Sequence, residues 1–495
     1  MSARRTIVVM PGDGIGRIVI PETLRVLEAV GFAADTVEAE IGWSCWVRDG
    51  DPLPSRTIDL LARHRIGLLG AITSKSAPEA EAELADGLRG CGLRYRSPLL
   101  MLRQRFDLSV CVRPCRSWPG NPMNFVRRAE DGSVEEPPID LTVFRQNTEG
   151  LYAGVEWSDP PRPVRDALAA HPRYAPFREV AGSDLAIAVR IVTRAACWRI
   201  LEAAFRHAGA RGHPAVTLAE KPNVLRDTSG LWREVAREVA REHPGVALDE
   251  TAIDALLLDL VRRPERFHVI VTSNLLGDIV SDAAAGLTGG IGLAPSANLG
   301  TEVAIFEPVH GSAPGHAGID PPVVNPIAAI LAGALLLDHA GDAGRAARVR
   351  AAVAAVIAEG RVRTYDMLRL PHGPDVLAHG AATTAAMTAA VIAHRPRSGP
   401  RPAASPCRST RTSTRSQRSP GSAARWSSRH RPARGRRPAS PRRSPRTAPS
   451  SCSSHGASPP ERSPAGSRRK TAGPSARRSA GRSGSSGASP GTRAC

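Results

Sequence analysis

Residues 274–282 read NLLGDIVSD. Asp278 and Asp282 stand four apart in an otherwise apolar run, so a helix puts both carboxylates on one face. Burying a carboxylate is costly unless something neutralises it. Two carboxylates side by side raise each other's pKa unless a cation lies between them. Hard oxygen ligands of this kind select Mg²⁺ or Mn²⁺. Such i,i+4 aspartates are also common as a solvent-facing pair near a helix start. The apolar surround, and a third acid at Asp254 in AIDALLLDL, favour the metal.

Working outward, VIVT (269–272) reads as a strand running into this helix. TIVVM (6–10) reads as another, leading through PGDGIG to a helix around 21–30, and IGLLGAI (66–72) as a third. Strands alternating with helical segments predict an α/β layer architecture. Amphipathic helices are expected at 184–207 and 231–242, a core helix at 326–339, and an alanine-rich periodic segment at 374–394. The loop GDGIGR is not a dinucleotide fingerprint of the Rossmann type, because Arg17 stands where the last glycine of G-x-G-x-x-G belongs.

The 495 residues carry a formal net charge of +19, which by itself points to nucleic acid. The average hides two unlike parts. Residues 401–495 hold 22 of the 66 Lys and Arg and a single acid, Glu461, leaving 44 basic and 46 acidic residues for the rest. From residue 395 Arg, Ser, Pro, Gly and Ala dominate, a composition that cannot bury enough apolar surface to offset chain entropy. This tail is expected to be disordered. Its basicity is nearly all arginine, as in GC-rich DNA translated in an unselected frame, so a frameshifted or dispensable end is the leading explanation. The alternative is a polyanion-binding protein acting through this tail; nucleic acid is the lesser expectation. The eight cysteines form no CxxC pair, which argues against a zinc site or disulfide framework. The N-terminus lacks a signal-peptide pattern, and the longest apolar run, 327–337, is too short to span a bilayer. A soluble cytoplasmic protein with no membrane partner is expected.

Four further stretches carry chemistry. In RQNTEGLYAGVEW (145–157), Arg145 is a carboxylate clamp and Tyr152 a proton donor, or the stretch is a surface turn with a packed tyrosine. In EKPNVLRDTSG (220–230), Lys221 lies between apolar runs, poised for acid–base duty or simply snorkelling. In RSPLLMLRQRFDLSVCVRP (96–114), Arg96, Arg103 and Arg113 form an irregular series that suits a polyacid better than a helix face. GGIGLAPSANLG (289–300) and EPVHGSAPGHAG (307–318) read as long glycine-rich loops that let backbone N–H groups approach phosphates, or as ordinary connections.

Taken in order, PGDGIG, GAITS, LRQRFDLSVCVRP, NTEGLYAGVEW, KPNVL, NLLGDIVSDAAAGLTGGIGLAPSANLG and FEPVHGSAPGHAG resemble the β-decarboxylating dehydrogenases, the family of isocitrate, isopropylmalate and homoisocitrate dehydrogenases. The match covers about residues 5–394. The resemblance implies a two-lobed α/β fold that is not a Rossmann domain. A large domain would take 1–98 and 255–394, and a small domain 99–254. It implies a homodimer with shared active sites and oxidative decarboxylation of a 2-hydroxy acid with NAD(P)⁺ and Mg²⁺ or Mn²⁺. By matching position, Asp278 and Asp282 would be metal ligands of one subunit and Asp254 of its partner. Arg103, Arg113 and Arg145 would hold substrate carboxylates. Tyr152 and Lys221 would form the acid–base pair, Lys221 also crossing from the partner. The cofactor would lie along His310, Gly311, Ser312, Ala313 and Asn325, with Glu307 near the nicotinamide.

Three departures from the family pattern bear on specificity. Gly315-His316 matches neither the Lys-Tyr of NADP enzymes nor the Asp-Ile of NAD enzymes, while Tyr365 and Arg369 match a pair that contacts a 2′-phosphate. The balance tilts to NADP. RSPLL replaces the RSLN of isocitrate enzymes. Ser97 is kept as a carboxylate contact, Leu99 stands for the asparagine, and the stretch is closer to homoisocitrate enzymes. Arg96 beside Ser97 argues for an acidic end group on the substrate, a carboxylate or a phosphonate. An insertion at about 76–93 is expected to reshape the pocket mouth, and Gln146 stands where glutamate is usual.

Overall fold

The aliphatic runs become the inner strands of a ten-stranded mixed sheet in the computed structural model, which describes residues 5–371 and 373–394. The strands are β1 (Arg5–Gly12), β2 (Ala34–Glu38), β3 (Ile66–Ala71), β4 (Val110–Arg116), β5 (Asp140–Gln146), β6 (Ala215–Glu220), β7 (Ala247–Ala252), β8 (Val269–Thr272), β9 (Pro295–Leu299) and β10 (Ala304–Pro308). Their order is β7-β6-β8-β5-β4-β9-β10-β3-β1-β2. Pairing is parallel within the wings β7-β6-β8-β5 and β10-β3-β1-β2, and antiparallel across the centre, β5-β4-β9-β10. Parallel strands need helical crossovers, which cover both faces of a wing and explain strands apolar along their whole length.

The helices that matter are α1 (Gly16–Ala29), α2 (Pro98–Arg105), α3 (Arg194–Arg211), α4 (Arg226–Glu242), α5 (Ile253–Arg262), α6 (Asn274–Leu287), α7 (Ile327–His339), α8 (Ala343–Glu359) and α9 (Thr384–His394). α7 is apolar nearly all round because it is enclosed, with α1, α8 and α9 in one core and the sheet beneath. In the other wing α3 and α4 cover one face through Leu201, Phe205, Trp232 and Val235. α5 and α6 cover the other through Leu256, Leu260, Val280 and Ala284, against Leu141, Val143 and Ile270. Residues 255–287 therefore pack with the β5–β8 wing, not with β1–β3 as the expected boundary at 254 would have it.

Other expectations differ in detail. The helix expected from 184 begins at Arg194, where Thr193 Oγ1 accepts from Ala196 N at 3.3 Å. Residues 187–188 instead pair as a strand with 156–157. The 374–394 segment is a short turn, Pro374–Leu377, and then α9, separated at Gly380, which takes φ +87°. GGIGLAPSANLG is a loop only at its glycine start. Its second half is β9, in the sheet centre. The insertion is folded: Ser76 and Glu79 cap a short helix, and Trp46 Nε1 and Trp43 Nε1 donate to Ala80 O (2.8 Å) and Glu83 (2.6 Å). The expected disorder of 395–495 lies outside the described residues. No helix among the described residues is long and apolar enough to cross a membrane.

His207 on α3 yields a stability prediction. Its ring lies edge-on to Phe144 at 5.3 Å, and its Nε2 is buried with no hydrogen-bond partner among the described residues. Burial, helped by Arg211 and His213, lowers its pKa from 6.5 to about 4. The unfolded chain takes up this proton below pH 6.5 while the folded chain resists until about 4. The stability contribution is thus fully present above 6.5 and declines as pH falls between those values. Melting curves at pH 7.5 and pH 5 should show a smaller Tm gap for His207→Leu than for the native chain.

Candidate active site

β8 ends at Thr272 and Ser273 caps α6, whose first turns lie against the ends of β4 and β5. The close approach requires Gly277, where a Cβ would stand 2.8 Å from Arg145 Cβ. Glu220, buried at the end of β6, accepts from Ser273 N (3.2 Å), Arg190 Nη2 (2.9 Å) and Ser229 Oγ (2.8 Å), tying α6 to the strand that leads into Lys221.

The two aspartates are neutralised chiefly by arginine. Asp278 Oδ1 accepts from Arg113 Nη1 at 3.1 Å and from Arg145 Nη1, and its Oδ2 accepts from the Tyr152 hydroxyl at 2.8 Å. Asp282 Oδ1 accepts from the same Arg113 nitrogen at 3.1 Å. Ser281 Oγ takes a further Arg113 bond (2.7 Å), and Asn274 Oδ1 takes Arg145 Nε (3.0 Å). Burial pushes the Asp278 carboxyl up, but Arg145 and Arg113 reverse this and leave it below its ordinary value. For the more exposed Asp282, burial prevails over Arg113, and Asp278 adds to it, so its pKa is raised. Burial first, then the bond to Asp278, raises the Tyr152 phenol and keeps it protonated. The Arg145 guanidinium lies 5.1 Å from the Tyr152 ring centroid.

Arg103 lies beside this cluster, fully buried. It donates to Asn298 Oδ1 (3.2 Å) and to Glu307 Oε1 (3.3 Å), so a sequence-predicted substrate arginine and a sequence-predicted cofactor residue are ion-paired. Arg96 is exposed on the approach to α2 and donates to Gln104 Oε1 (3.0 Å), and Ser97 caps α2 without a side-chain bond. Arg96 is thus an exposed guanidinium, paired with an amide and not with an acid.

Lys221 and Asp254 are brought together with each other, Nζ to Oδ1 at 2.6 Å, so the lysine is ion-paired and not enclosed by the apolar runs around it. No side-chain hydrogen bond or ion pair among the described residues joins this pair to Asp278 or Asp282, and no group of three potential metal ligands converges there. Helical spacing places Asp254, Leu258 and Val261 on one exposed face of α5, and Leu275, Ile279 and Asp282 on one exposed face of α6.

The loop after β10 carries His310, whose Nδ1 lies 3.0 Å from Gly311 O and whose Nε2 is buried and unpartnered among the described residues. Ser312 Oγ accepts from Thr73 Oγ1 (2.6 Å), and Ala313 holds a left-handed φ of +39°. Asn325 Oδ1 accepts from Ile327 N at the start of α7 (3.0 Å), and its Nδ2 donates to Asp366 (2.9 Å). Tyr365 OH lies 2.9 Å from His316 Nε2 with the rings stacked. Arg369 donates to Pro122 O (3.2 Å) and no hydrogen bond among the described residues joins it to Tyr365.

Sequence reasoning missed Ser281, Asn274, Asn147, Asn298 and Glu220. Ser281 and Asn274 share the helix face of the aspartates, a signal present in the spacing. The strand residues signal only once their neighbours are known.

The isocitrate/isopropylmalate dehydrogenase family model matches residues 6–391. The chain is 41% identical over 380 residues to the isocitrate/homoisocitrate dehydrogenase of Thermus thermophilus, covering 77% of this chain and 95% of that one. It is 39% identical over 361 residues to Protein DlpA of Legionella pneumophila, covering 73% of this chain but about half, 55%, of that protein's length. The crystal structure of isocitrate dehydrogenase from Methylococcus capsulatus superposes with a TM-score of 0.64 at 35% identity, covering 79% of this chain and 99% of that one. With an α/β fold, a site of arginines and aspartates, and this likeness along nearly all its described length, the chain belongs to the isocitrate/isopropylmalate dehydrogenase family of metal-dependent β-decarboxylating dehydrogenases.

Proposed function

We propose that the chain oxidatively decarboxylates a 2-hydroxy di- or tricarboxylic acid of the isocitrate and homoisocitrate type with NAD(P)⁺, NADP⁺ favoured. The supporting observation is the charge balance of the site. Arg103, Arg113 and Arg145 face Asp278, Asp282 and Glu307, three charges of each sign. A divalent cation added to the aspartates tips this balance positive, and a polyacid restores it.

Asp278 and Asp282 offer hard oxygen donors one turn apart, a set that fits Mg²⁺ or Mn²⁺, with Asp254 of a second copy completing it. When bound, the ion supplies Lewis-acid stabilisation of charge on the substrate's oxygens. The arginines hold carboxylates by paired N–H bonds. Lys221, brought in by a second copy, would act on the 2-hydroxyl proton once released from Asp254, and NAD(P)⁺, when bound, would accept the hydride from C2. CO₂ is lost from the β-keto acid, and Tyr152, kept protonated by its surroundings, delivers a proton to the enol carbon. We assign His310 Nε2, unpartnered among the described residues, to a polar group of the cofactor, and Tyr365, with His316 and Arg369, to its 2′-substituent. We assign Arg96 and Ser97 to the rim that reads the acid's end group.

A second copy of the chain is the partner we propose. Leu258 and Val261, each 59% exposed, follow Asp254 by one and two turns on the same face, and Ile279, 51% exposed, neighbours Asp282. Apolar exposure on the faces that carry the acids is what a homodimer with shared sites would cover.

The deciding experiment measures reduced-cofactor formation with Mg²⁺ on isocitrate, homoisocitrate, 3-isopropylmalate and a phosphonate analogue, with each cofactor, on the whole chain and on residues 1–394. Turnover of a polyacid by both is expected. No turnover by either form, with polyanion binding that vanishes when the tail is removed, would favour the polyanion-binding reading, and turnover of 3-isopropylmalate alone would overturn the assignment of an isocitrate- or homoisocitrate-type acidic end group. Tyr152→Phe should lower kcat by about 10²-fold or more at little cost in KM. Leu258→Asp should shift the sedimentation coefficient from dimer to monomer and abolish turnover together, since each site would lose its partner's Lys221.

A further inference from the structure

At the antiparallel centre of the sheet two buried amides join Arg103 to Glu307, and the mechanism above uses neither amide. Asn298 on β9 is 0% exposed and Asn147, just past β5, is 1% exposed. Asn298 Oδ1 accepts from Arg103 Nε (3.2 Å) and from Asn147 Nδ2 (2.8 Å). Asn298 Nδ2 donates to Glu307 Oε1 (2.7 Å) and Ile305 O (3.4 Å), and Asn147 Nδ2 also donates to Leu108 O (3.2 Å). One amide thus grips both members of a buried ion pair whose arginine faces the acid site and whose glutamate opens the cofactor loop.

Resting on the function proposed above, we infer that Asn298 is a positioning residue that couples binding of the acid to binding of the cofactor. An arginine has five N–H donors, and the bonds to Asn298 and Glu307 leave others for a substrate carboxylate. When the acid engages Arg103, the amide that holds Arg103 also holds Glu307. The cofactor then meets a glutamate whose bonds the first ligand has already adjusted through Asn298, which is positive coupling without a large movement. β9 pairs with β4 on one side and β10 on the other, so this strand is where the two half-sites share a neighbour. Asn147 acts one step back, fixing which way the Asn298 amide points.

The test is fluorescence titration of the full chain with NADPH and Mg²⁺, with and without isocitrate or homoisocitrate, whichever turns over above. The reduced cofactor and the hydroxy acid cannot react, so the ratio of the two NADPH dissociation constants reads the coupling. The native chain should bind NADPH about 10-fold more tightly with the acid present. Asn298→Ser, too short to reach both partners, should bring that ratio to about twofold or less, and Asn147→Ser should lower it in part. A merely structural role would lower Tm and weaken both affinities while leaving the ratio intact, and that result overturns the proposal. So does a native ratio near one. Should Asn298→Ser not fold, an unchanged ratio in Asn147→Ser overturns it equally. A native chain that turns over no acid and binds no NADPH sinks the function proposed above, a result distinct from normal turnover with unaltered coupling.

Discussion

The carboxylate of Asp278 is the interaction on which the site depends. It gathers Arg113 from β4, Arg145 from β5 and the Tyr152 hydroxyl from the loop beyond, so three separate segments converge on one turn of α6. Buried ion pairs of this kind add little net stability, because desolvation cancels much of the Coulomb gain. Their effect is geometric. Each unsatisfied donor would cost its full desolvation, so the helix can dock in one register only. Gly277 makes that register reachable, since any side chain there would collide with Arg145.

A second constraint sits in the first glycine loop. Asp13 accepts from Trp43 N (2.8 Å) and Thr73 N (2.9 Å), while Thr73 reaches Ser312 and Ile15 N donates to Ser312 O (2.9 Å). Gly14 holds φ +50°, and a Cβ there would meet Ser312 O at 2.1 Å. Three loops far apart in sequence are thus bracketed together. The glycines of PGDGIG serve loop-to-loop contact, which explains a pattern that looks like a phosphate cradle and fails its template at Arg17.

Much of this was legible in the chain. The apolar runs at 6–10, 66–72 and 269–272 became β1, β3 and β8, because a strand buried on both faces has little choice of composition. The pairing of Asp278 with Asp282 on one helix face followed from a spacing of four. Local patterning was less reliable wherever a chain segment's partner lies elsewhere. Residues 187–188 join a two-strand ribbon instead of a helix, and Pro295–Leu299 crosses the sheet centre instead of looping.

Sequence by itself determined the fold class, the basic tail as a compositionally separate part, and the charged side chains available for chemistry. Periodicity and composition are local properties, readable without coordinates. Only the tertiary structure decided that arginines meet the aspartates, that Lys221 pairs with Asp254, that Arg96 is exposed, and that Arg103 and Glu307 share the Asn298 amide. These are contacts between residues up to about two hundred positions apart. Their partners are selected by strand order and helix docking and, for Arg103, Arg113, Arg145 and Glu307, by the high cost of leaving a buried charge alone.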